Sequence, residues 1–379
     1  MLCSKERIAR ILKRQPVDRI GLFEVFWADT AQRWAQEGHY QNVGADSLQF
    51  GAQHRHRPMA IEDHFALDIR RCRPFDMMAD IDCGEQIIEE TDETKLSRDG
   101  NGALLRWHKL HSSTPEHVDF AVKDRESWER WVRPHLLEKS YYQRRIDFHL
   151  YHAMREKCDR ENIFFTCGLI APFDLMTPMC GHEHLLQGMA LDPDWFRDMC
   201  QVYTTLTIGL LEILFEQEQL PDGLWIWDDL GFMEKPFMSP IMYHELLYPA
   251  HHRLFQWAHD KRLPVILHSC GYVEPLVPAL IKAGIDCLQP LEVKSGMKLL
   301  RLKKNFGDRI AFMGGMDVRV LISNDLTAVQ RLLEATLPAA MENSGYVLQT
   351  DHSVPDQVNY ETYKFFVDKG LEIGAYQYA

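Results

Sequence analysis

Several features are missing from this 379-residue sequence, and each absence excludes a class of protein. No apolar run approaches the length of about 20 residues that a membrane-spanning helix needs. Residues 1–16 are charged and amphipathic and lack the apolar core of a secretory signal peptide. Basic residues are in deficit, 42 against 55 acidic ones, and the net charge of −13 argues against nucleic acids and anionic membranes as partners.

The sequence also lacks any C-x-x-C motif. Its nine cysteines are scattered and odd in number, which is typical of a reducing cytoplasm, where most cysteines are small buried hydrophobes. Apolar residues make up 46% of the chain and charged residues 26%, as in a soluble globular protein with a large core. We therefore expect a cytoplasmic protein that acts on a small-molecule substrate.

What the sequence does contain is a repetition of short apolar strands and amphipathic helices. Apolar runs this short suit parallel strands that are buried on both faces. Eight such units predict an α/β fold of the (β/α)8 TIM-barrel type. A doubly wound open sheet is the alternative, but no Gly-rich phosphate loop follows any strand to support its nucleotide-binding form. The eight predicted strands are Ile20–Phe26, Ala66–Arg70, Ile163–Cys167, Gly223–Trp227, Pro264–Leu267, Asp286–Gln289, Ile310–Met313 and Tyr346–Gln349.

The amino-terminal third departs from this strand–helix rhythm. Three segments there predict antiparallel strands joined by tight Asp-Gly and Asn-Gly turns. We interpret about 72–135 as an insertion with β-hairpins, within a single barrel domain that spans residues 1–379. The three predicted strands of the insertion are Gln86–Glu90, Thr94–Arg98 and Leu104–His108.

Two helices of the amino-terminal half carry specific predictions. Apolar residues at helical spacing predict a first helix over Ser4–Lys13, with Ser4 as its N-cap. Helical character also predicts a long helix over Leu136–Arg160, just before the third strand.

The stretch Leu263–Pro275, LPVILHSCGYVEP, has the order of strand, polar turn and helix. Parallel α/β proteins keep their functional residues at the carboxyl ends of such strands. His268 and Cys270 follow the fifth strand and offer a nitrogen and a sulfur to one point, which suits zinc. A core histidine beside a buried thiol is the alternative interpretation of an isolated H-x-C motif.

Polar or aromatic residues also follow almost all of the remaining predicted strands, and a barrel would bring them to one pocket. Glu24, Asp228, Asp229 and His352 are the candidate catalytic groups, because carboxylates and histidine can act as general acids and bases. The candidate substrate-binding residues are Trp27, Phe173, Trp227, Gln289, Lys294 and Asp317.

A catalytic zinc ion needs three protein ligands and an open position. For the third ligand beside His268 and Cys270 we consider His352 first, and then Glu292, Asp351 and Asp229. A metal-free pocket that uses the carboxylates and His352 as acid and base remains open at this point.

Three segments of the chain resemble the uroporphyrinogen decarboxylase superfamily. This superfamily includes the cofactor-free decarboxylase of haem biosynthesis, and zinc-dependent methyltransferases that move methyl groups between corrinoid proteins and thiols or other acceptors. The resemblance implies a TIM barrel, covers nearly the whole chain in the order of elements, and is clearest from about Trp225 onward. The segments are HSCGYVEPLVPALIKAGIDCLQPLE, LKKNFGDRIAFMGGMDV and GYVLQTDHSVPDQVNYE.

The resemblance is closer to the methyltransferases than to the decarboxylase. The decarboxylase carries an arginine-rich RQAGRYLPE segment that binds the carboxylates of its substrate, whereas the matching GLFEVFWADTAQRW has Arg33 alone. His268 and Cys270 match the H-x-C of the methyltransferases, whose third zinc ligand is a cysteine after strand eight, where this chain has His352. Some members add an acidic ligand near the end of strand six, and Glu292 lies close to that position.

The resemblance therefore implies a zinc-dependent methyltransferase with a corrinoid protein as partner. A cofactor-free decarboxylase of the uroporphyrinogen decarboxylase type, and a non-catalytic barrel that binds a ligand, are the alternatives. Whether the chain forms a homodimer is left open by its sequence.

Overall fold

The computed structural model describes residues 1–41, 60–110 and 114–376. Eight parallel strands form a nearly closed barrel with helices around it, which confirms the predicted α/β TIM barrel. The first strand pairs with the eighth, and the second pairs with the third. The barrel strands are Gly21–Leu22, Ile69–Cys72, Phe164–Ile170, Gly223–Trp227, Val265–His268, Cys287–Gln289, Ala311–Met313 and Tyr346–Leu348.

Alternate residues of the strands fill the barrel, as the two-residue period of a strand requires. Phe23, Phe164 and Trp225 are almost completely buried and belong to one cluster inside the barrel. Ile8 and Ile11 of the first helix join this cluster and pack against it at the amino-terminal end of the barrel. Because that end is filled with apolar side chains, the opposite end is left for polar residues.

The predicted insertion contains an antiparallel sheet of four strands. Its first three strands match the predicted ranges, and residues 111–113 lie outside the described ranges. The fourth strand, Glu116–Asp119, was not predicted because all four of its residues are exposed and give no alternation of apolar and polar positions. A further pair of short strands, Gly231–Phe232 and Lys235–Pro236, follows the fourth barrel strand.

Two helix predictions are wrong in detail. The N-cap of the first helix is Cys3, whose Sγ accepts from the Glu6 amide, whereas the Ser4 hydroxyl donates to Asp68. The predicted helix over Leu136–Arg160 is broken into short turns before the helix Phe148–Glu161. Side chains interrupt it, because Asp147 caps this helix and Glu138 caps the turn at 139–141.

From the third barrel strand onward, at least one helix follows every strand. No helix within the described ranges combines the length and the apolar content that crossing a membrane requires. The α-helices are Ser4–Leu12, Ala28–Gln36, Ala60–His64, Arg125–Trp131, Arg133–Leu137, Phe148–Glu161, Pro172–Leu191, Pro193–Gln217, Pro240–Met242, Tyr248–Asp260, Val277–Ala283, Leu299–Phe306, Val318–Ile322, Leu326–Ala340 and Tyr360–Ile373. The 3-10 turns are Lys139–Tyr141, Gln143–Arg145, Glu274–Leu276 and Val293–Ser295, and Tyr243–Leu247 is π-helical.

Candidate metal centre

Three side chains with metal-binding atoms meet where the fourth and fifth barrel strands end. Ligand atoms of Asp229, His268 and Cys270 all lie within 4.8 Å of one another. Nε2 of His268 is 3.4 Å from Sγ of Cys270 and 3.4 Å from Oδ1 of Asp229. Oδ1 of Asp229 also accepts a hydrogen bond of 2.8 Å from the amide of Cys270, which connects the two strand ends. We call these three residues the triad.

The spacing and chemistry of the triad fit zinc. Tetrahedral zinc with nitrogen, sulfur and oxygen ligands places the ligand atoms roughly 3.4–3.6 Å apart, close to the distances from the His268 nitrogen. The three atoms are the ligand types that zinc takes in catalytic sites, where the fourth position is left for substrate. Among the residues that the structure describes, no other group of three or more His, Cys, Asp or Glu has this proximity.

A chain of hydrogen bonds orients His268 from behind. Its Nδ1 lies 2.6 Å from Oε1 of Gln289, and Nε2 of Gln289 donates to Oε1 of Gln349 at 3.0 Å. Because the Gln289 oxygen can only accept, the His268 proton is on Nδ1, and the lone pair of Nε2 faces Asp229 and Cys270. Burial lowers the pKa of His268 below its ordinary value, which favours this neutral, metal-binding form.

Carboxylates surround the triad. Burial raises the pKa of the Cys270 thiol well above its usual range, and the charges of Asp229, Glu292 and Asp174 raise it further. Burial also raises the pKa of Asp174, and Asp229 and Asp228 add to that shift. A cation at the triad would relieve both effects, because it offsets the negative charges and stabilises a thiolate.

The two aspartates that end strand four have different environments. Asp228 is completely buried; its carboxylate accepts from the Asp174 amide at 2.9 Å and lies 2.7 Å from Nε2 of His251. His251 in turn pairs through Nδ1 with the hydroxyl of Tyr243 at 2.9 Å. Asp228 therefore braces the loops behind the pocket, while the half-exposed Asp229 faces it.

The predicted acidic ligands after strands six and eight make other contacts. Glu292 accepts from the amide of Gly271 at 2.6 Å and pairs with Lys294 at 2.9 Å. Asp351 accepts from the amides of Val293 and Val318, at 2.8 Å each, so it joins the loops after strands six and seven. Glu292 therefore braces the loop that carries Cys270, and its own ligand role stays a prediction.

His352 lies beside the pocket and outside the triad. Its ring stacks on Trp27, with 6.2 Å between the ring centroids, so the two predicted residues are neighbours. Glu24 is 1% exposed and accepts from the amide and the hydroxyl of Thr350, and burial raises its pKa to about 8. Its contact with Gln349 connects it to the chain of amides behind His268.

The predicted substrate-binding residues differ in accessibility. The Trp227 ring is half-buried and its centroid lies 6.3 Å from that of His268. Phe173 is fully buried and packs on Phe237. Asp317 caps the helix Val318–Ile322 and pairs with Arg319 at 2.7 Å. Of these three, Trp227 alone combines partial exposure with contact to the triad.

Three site residues were not singled out from the sequence. Asp174 lies in the first turn of the helix Pro172–Leu191, one residue beyond the predicted Phe173. Arg71 lies in strand two and Arg73 directly follows it, and the guanidinium groups of both lie over the ring of Trp227. The second strand was predicted to end at Arg70, which hid the alternation that places Arg71 and Arg73 on one face.

Comparisons with known proteins bear on the fold and the family of this chain. No curated protein sequence matches the chain significantly. A solved methyltransferase from Methanosarcina mazei has the same fold, with a TM-score of 0.64 and 16% sequence identity over 99% of this chain and 100% of that one. The family profile described as uroporphyrinogen decarboxylase (URO-D) matches residues 129–371, more than half of the chain. The protein therefore belongs to the uroporphyrinogen decarboxylase family.

Proposed function

We propose that this protein is a zinc-dependent methyltransferase in which Asp229, His268 and Cys270 bind the metal. The observation that carries the proposal is the convergence of their three ligand atoms within 4.8 Å at the carboxyl ends of two barrel strands. The methyltransferase from Methanosarcina mazei supports it at the level of the fold.

Each member of the triad has a separate task in this proposal. His268 presents the lone pair of Nε2 because Gln289 holds the other ring nitrogen. Asp229 fixes the backbone of Cys270 and offers a carboxylate oxygen from the neighbouring strand end. Zinc, when bound, would act as a Lewis acid that lowers the pKa of a substrate thiol and so makes it a nucleophile for a methyl group.

Other groups of the pocket would handle the substrate. Asp174, whose pKa burial and neighbouring carboxylates raise, can hold a proton next to the triad. Trp27 and His352 form an aromatic wall on the side of strands one and eight. The indole of Trp227 neighbours both His268 of the triad and the guanidinium groups of Arg71 and Arg73.

The partner and setting of the reaction are part of the same proposal. A corrinoid carried by a partner protein would either accept the methyl group from a small methylated compound or donate its methyl group to the substrate thiol. The support is the resemblance around the H-x-C motif. The nine cysteines are all free, which suits the reducing cytoplasm that the proposal assumes.

Metal analysis tests the proposal directly. We expect protein purified without added zinc to contain close to one zinc per chain, and Cys270→Ala to lose it. A parallel comparison of Asp229→Ala with His352→Ala identifies the third ligand, because only the true ligand variant should lose the metal. Metal-free wild-type protein that gains no zinc on titration, and in which Cys270→Ala changes nothing, would overturn the proposal.

A cofactor-free decarboxylase acting on an organic acid is the second candidate, favoured by Arg71 and Arg73 at the pocket. It predicts turnover that survives removal of metal by a chelator and that depends on Asp229. An anaerobic assay with uroporphyrinogen, with and without chelator, separates the haem-pathway version from the methyltransferase.

A further inference from the structure

Strand two and the residue that follows it carry three arginines whose surroundings differ. Successive side chains of a strand point to opposite faces, and Arg70 lies on the outer face, where it pairs with Asp63 at 2.8 Å and donates to two carbonyl oxygens. Arg71 lies on the inner face, and Arg73, two residues on, follows it at the strand end. Arg70 is therefore paired through its terminal nitrogens, although its Nε has no acceptor, and the two arginines that follow on the other face need a separate explanation.

Arg71 and Arg73 lie on aromatic faces and have no salt bridge or hydrogen bond within the described ranges. The guanidinium carbon of Arg71 is 4.9 Å from the centroids of Phe23 and Trp225 and 5.4 Å from that of Trp227. Arg73 is 5.2 Å from the same Trp227 ring. Arg71 is 6% exposed, and its Nε is buried without any acceptor. Of the five donors of the Arg71 guanidinium group, the one on Nε is therefore both buried and without an acceptor.

This arrangement is costly for the empty protein. Burial lowers the pKa of Arg71 and of Arg73 to about 10 each, and each guanidinium opposes the charge of the other. The carboxylates of Glu24, Glu62 and Asp174 attract the two charges without pairing with them. A buried charge with no partner is retained when a ligand supplies the counter-charge.

The packing around the arginines keeps them next to the metal centre. Trp227 contacts both arginines, and the centroid of its ring lies 6.3 Å from that of the His268 ring. Gly168 makes this possible, because a Cβ at that position would collide with the Trp227 ring and with Cγ of Arg73. Both guanidinium groups and the triad residue His268 are therefore neighbours of one indole ring.

We propose that Arg71 and Arg73 bind the carboxylate of a small organic acid whose other end reaches the triad. A guanidinium fork matches the two oxygens of a carboxylate, and two forks give a planar acid group four or more charge-assisted donors. The direction of the substrate, with its acid group at strand two and its reacting group at strands four and five, rests on the proposed function. The carboxylate site itself does not, since it uses none of the metal ligands.

Binding of a minimal acid and of its neutral analogue tests the site. Propionate and propionamide have the same shape and differ in charge, and ligand-observed NMR or calorimetry on the full chain as purified can measure both. We expect propionate to bind at least tenfold more tightly than propionamide. Arg71→Gln and Arg73→Gln should each remove this preference, while Arg130→Gln, a surface arginine that also lies over a tryptophan, should keep it.

Further variants separate this inference from the metal proposal. Cys270→Ala should lose zinc and keep the preference for propionate, whereas Arg73→Gln should keep zinc and lose the preference. If Arg71→Gln does not fold, Arg71→Lys tests the two-point hydrogen bonding of the guanidinium group. Lysine keeps the charge but lacks the paired donors, so this variant should weaken propionate binding several-fold. Equal binding of propionate and propionamide, no detectable propionate binding, or wild-type preference in both glutamine variants would each overturn the carboxylate site.

Discussion

At the scale of single residues, the proposed metal centre would depend on a neutral amide, Gln289, that is not itself one of the proposed ligands. Gln289 is 1% exposed and accepts from Nδ1 of His268 while its own amide group donates to Gln349. Replacing such an outer partner typically costs 10- to 100-fold in metal affinity, because the histidine loses its fixed tautomer and orientation. We expect Gln289→Leu to weaken zinc binding by about that factor, as measured by competition with a chelating indicator.

Gln349→Leu is the matched control for this prediction. It removes an amide of the same size from the same chain of hydrogen bonds, but one step further from His268. Its effect on zinc affinity should be clearly smaller than that of Gln289→Leu. Urea denaturation should first show that wild type and Gln289→Leu are both folded. Equal zinc affinity of the two proteins would then show that the His268 tautomer is fixed in another way.

The residues of the triad could be named from the sequence, but their grouping could not. His268, Cys270 and Asp229 all follow predicted strands, so the barrel rule was enough to place them at one end. The choice between Asp228 and Asp229 required the structure, because both follow the same strand and only the fold turns one of them toward His251. Arg71 and Arg73 were missed since charged residues inside a barrel break the apolar pattern by which strands are recognised.

At the scale of elements, the loop after strand five is held by close contact between two backbones. Gly271 has a φ of +75°, and a Cβ at this position would collide with the backbone of Gly231. We expect Gly271→Ala to displace Cys270, to destabilise the protein by about 2 kcal/mol or more through strain and collision, and to lower its zinc content. Urea denaturation and metal analysis of the same preparation measure the two effects.

Gly296 separates strain from collision. It has a φ of +98°, but its nearest neighbours, atoms of Tyr272, would be at ordinary contact distance from a Cβ. Gly296→Ala therefore carries the cost of the left-handed backbone alone, about 1 kcal/mol, and should keep its zinc. If the two alanine variants lose the same stability and the same zinc, the approach of Gly231 has no role in placing Cys270.

The elements themselves were predicted well wherever burial alone sets the pattern. The fourth strand matches its predicted range, and the fifth matches within one residue at each end. The first strand was predicted over Ile20–Phe26, but only Gly21–Leu22 pair in the barrel, because Glu24 turns its carboxylate to Thr350 and Phe26 packs among the outer aromatic rings. Such tertiary contacts of single residues leave no periodic signal in the sequence.

At the scale of the whole molecule, the barrel is closed by a carboxylate where strand pairing is absent. Strands one and two are at the two edges of the parallel sheet. Asp68, which is fully buried, spans this seam: its amide donates to the carbonyl of Leu22, and its carboxylate accepts from the Leu22 amide, both at 2.8 Å. The same carboxylate binds Arg7 at 2.9 Å and Arg19 at 2.8 Å, so the first helix and both edge strands depend on one side chain.

Removing this charge should weaken the whole barrel and leave the metal centre intact. In Asp68→Asn the guanidinium of Arg7, 3% exposed, loses one of its two counter-charges and keeps Asp18 at 2.8 Å, so we expect a loss of about 1.5–3 kcal/mol, the range for a hydrogen bond to a charged group. Asp82→Asn, which removes a carboxylate paired with Arg144 in an exposed position, should cost much less stability, because water screens exposed ion pairs. Urea denaturation measures the free energy of unfolding of both variants. Equal losses in the two would show that the Asp68 carboxylate does not stabilise the seam between strands one and two. Because the seam contacts lie toward the amino-terminal end of the barrel and the triad at the carboxyl end, Asp68→Asn should still bind zinc with wild-type affinity while folded.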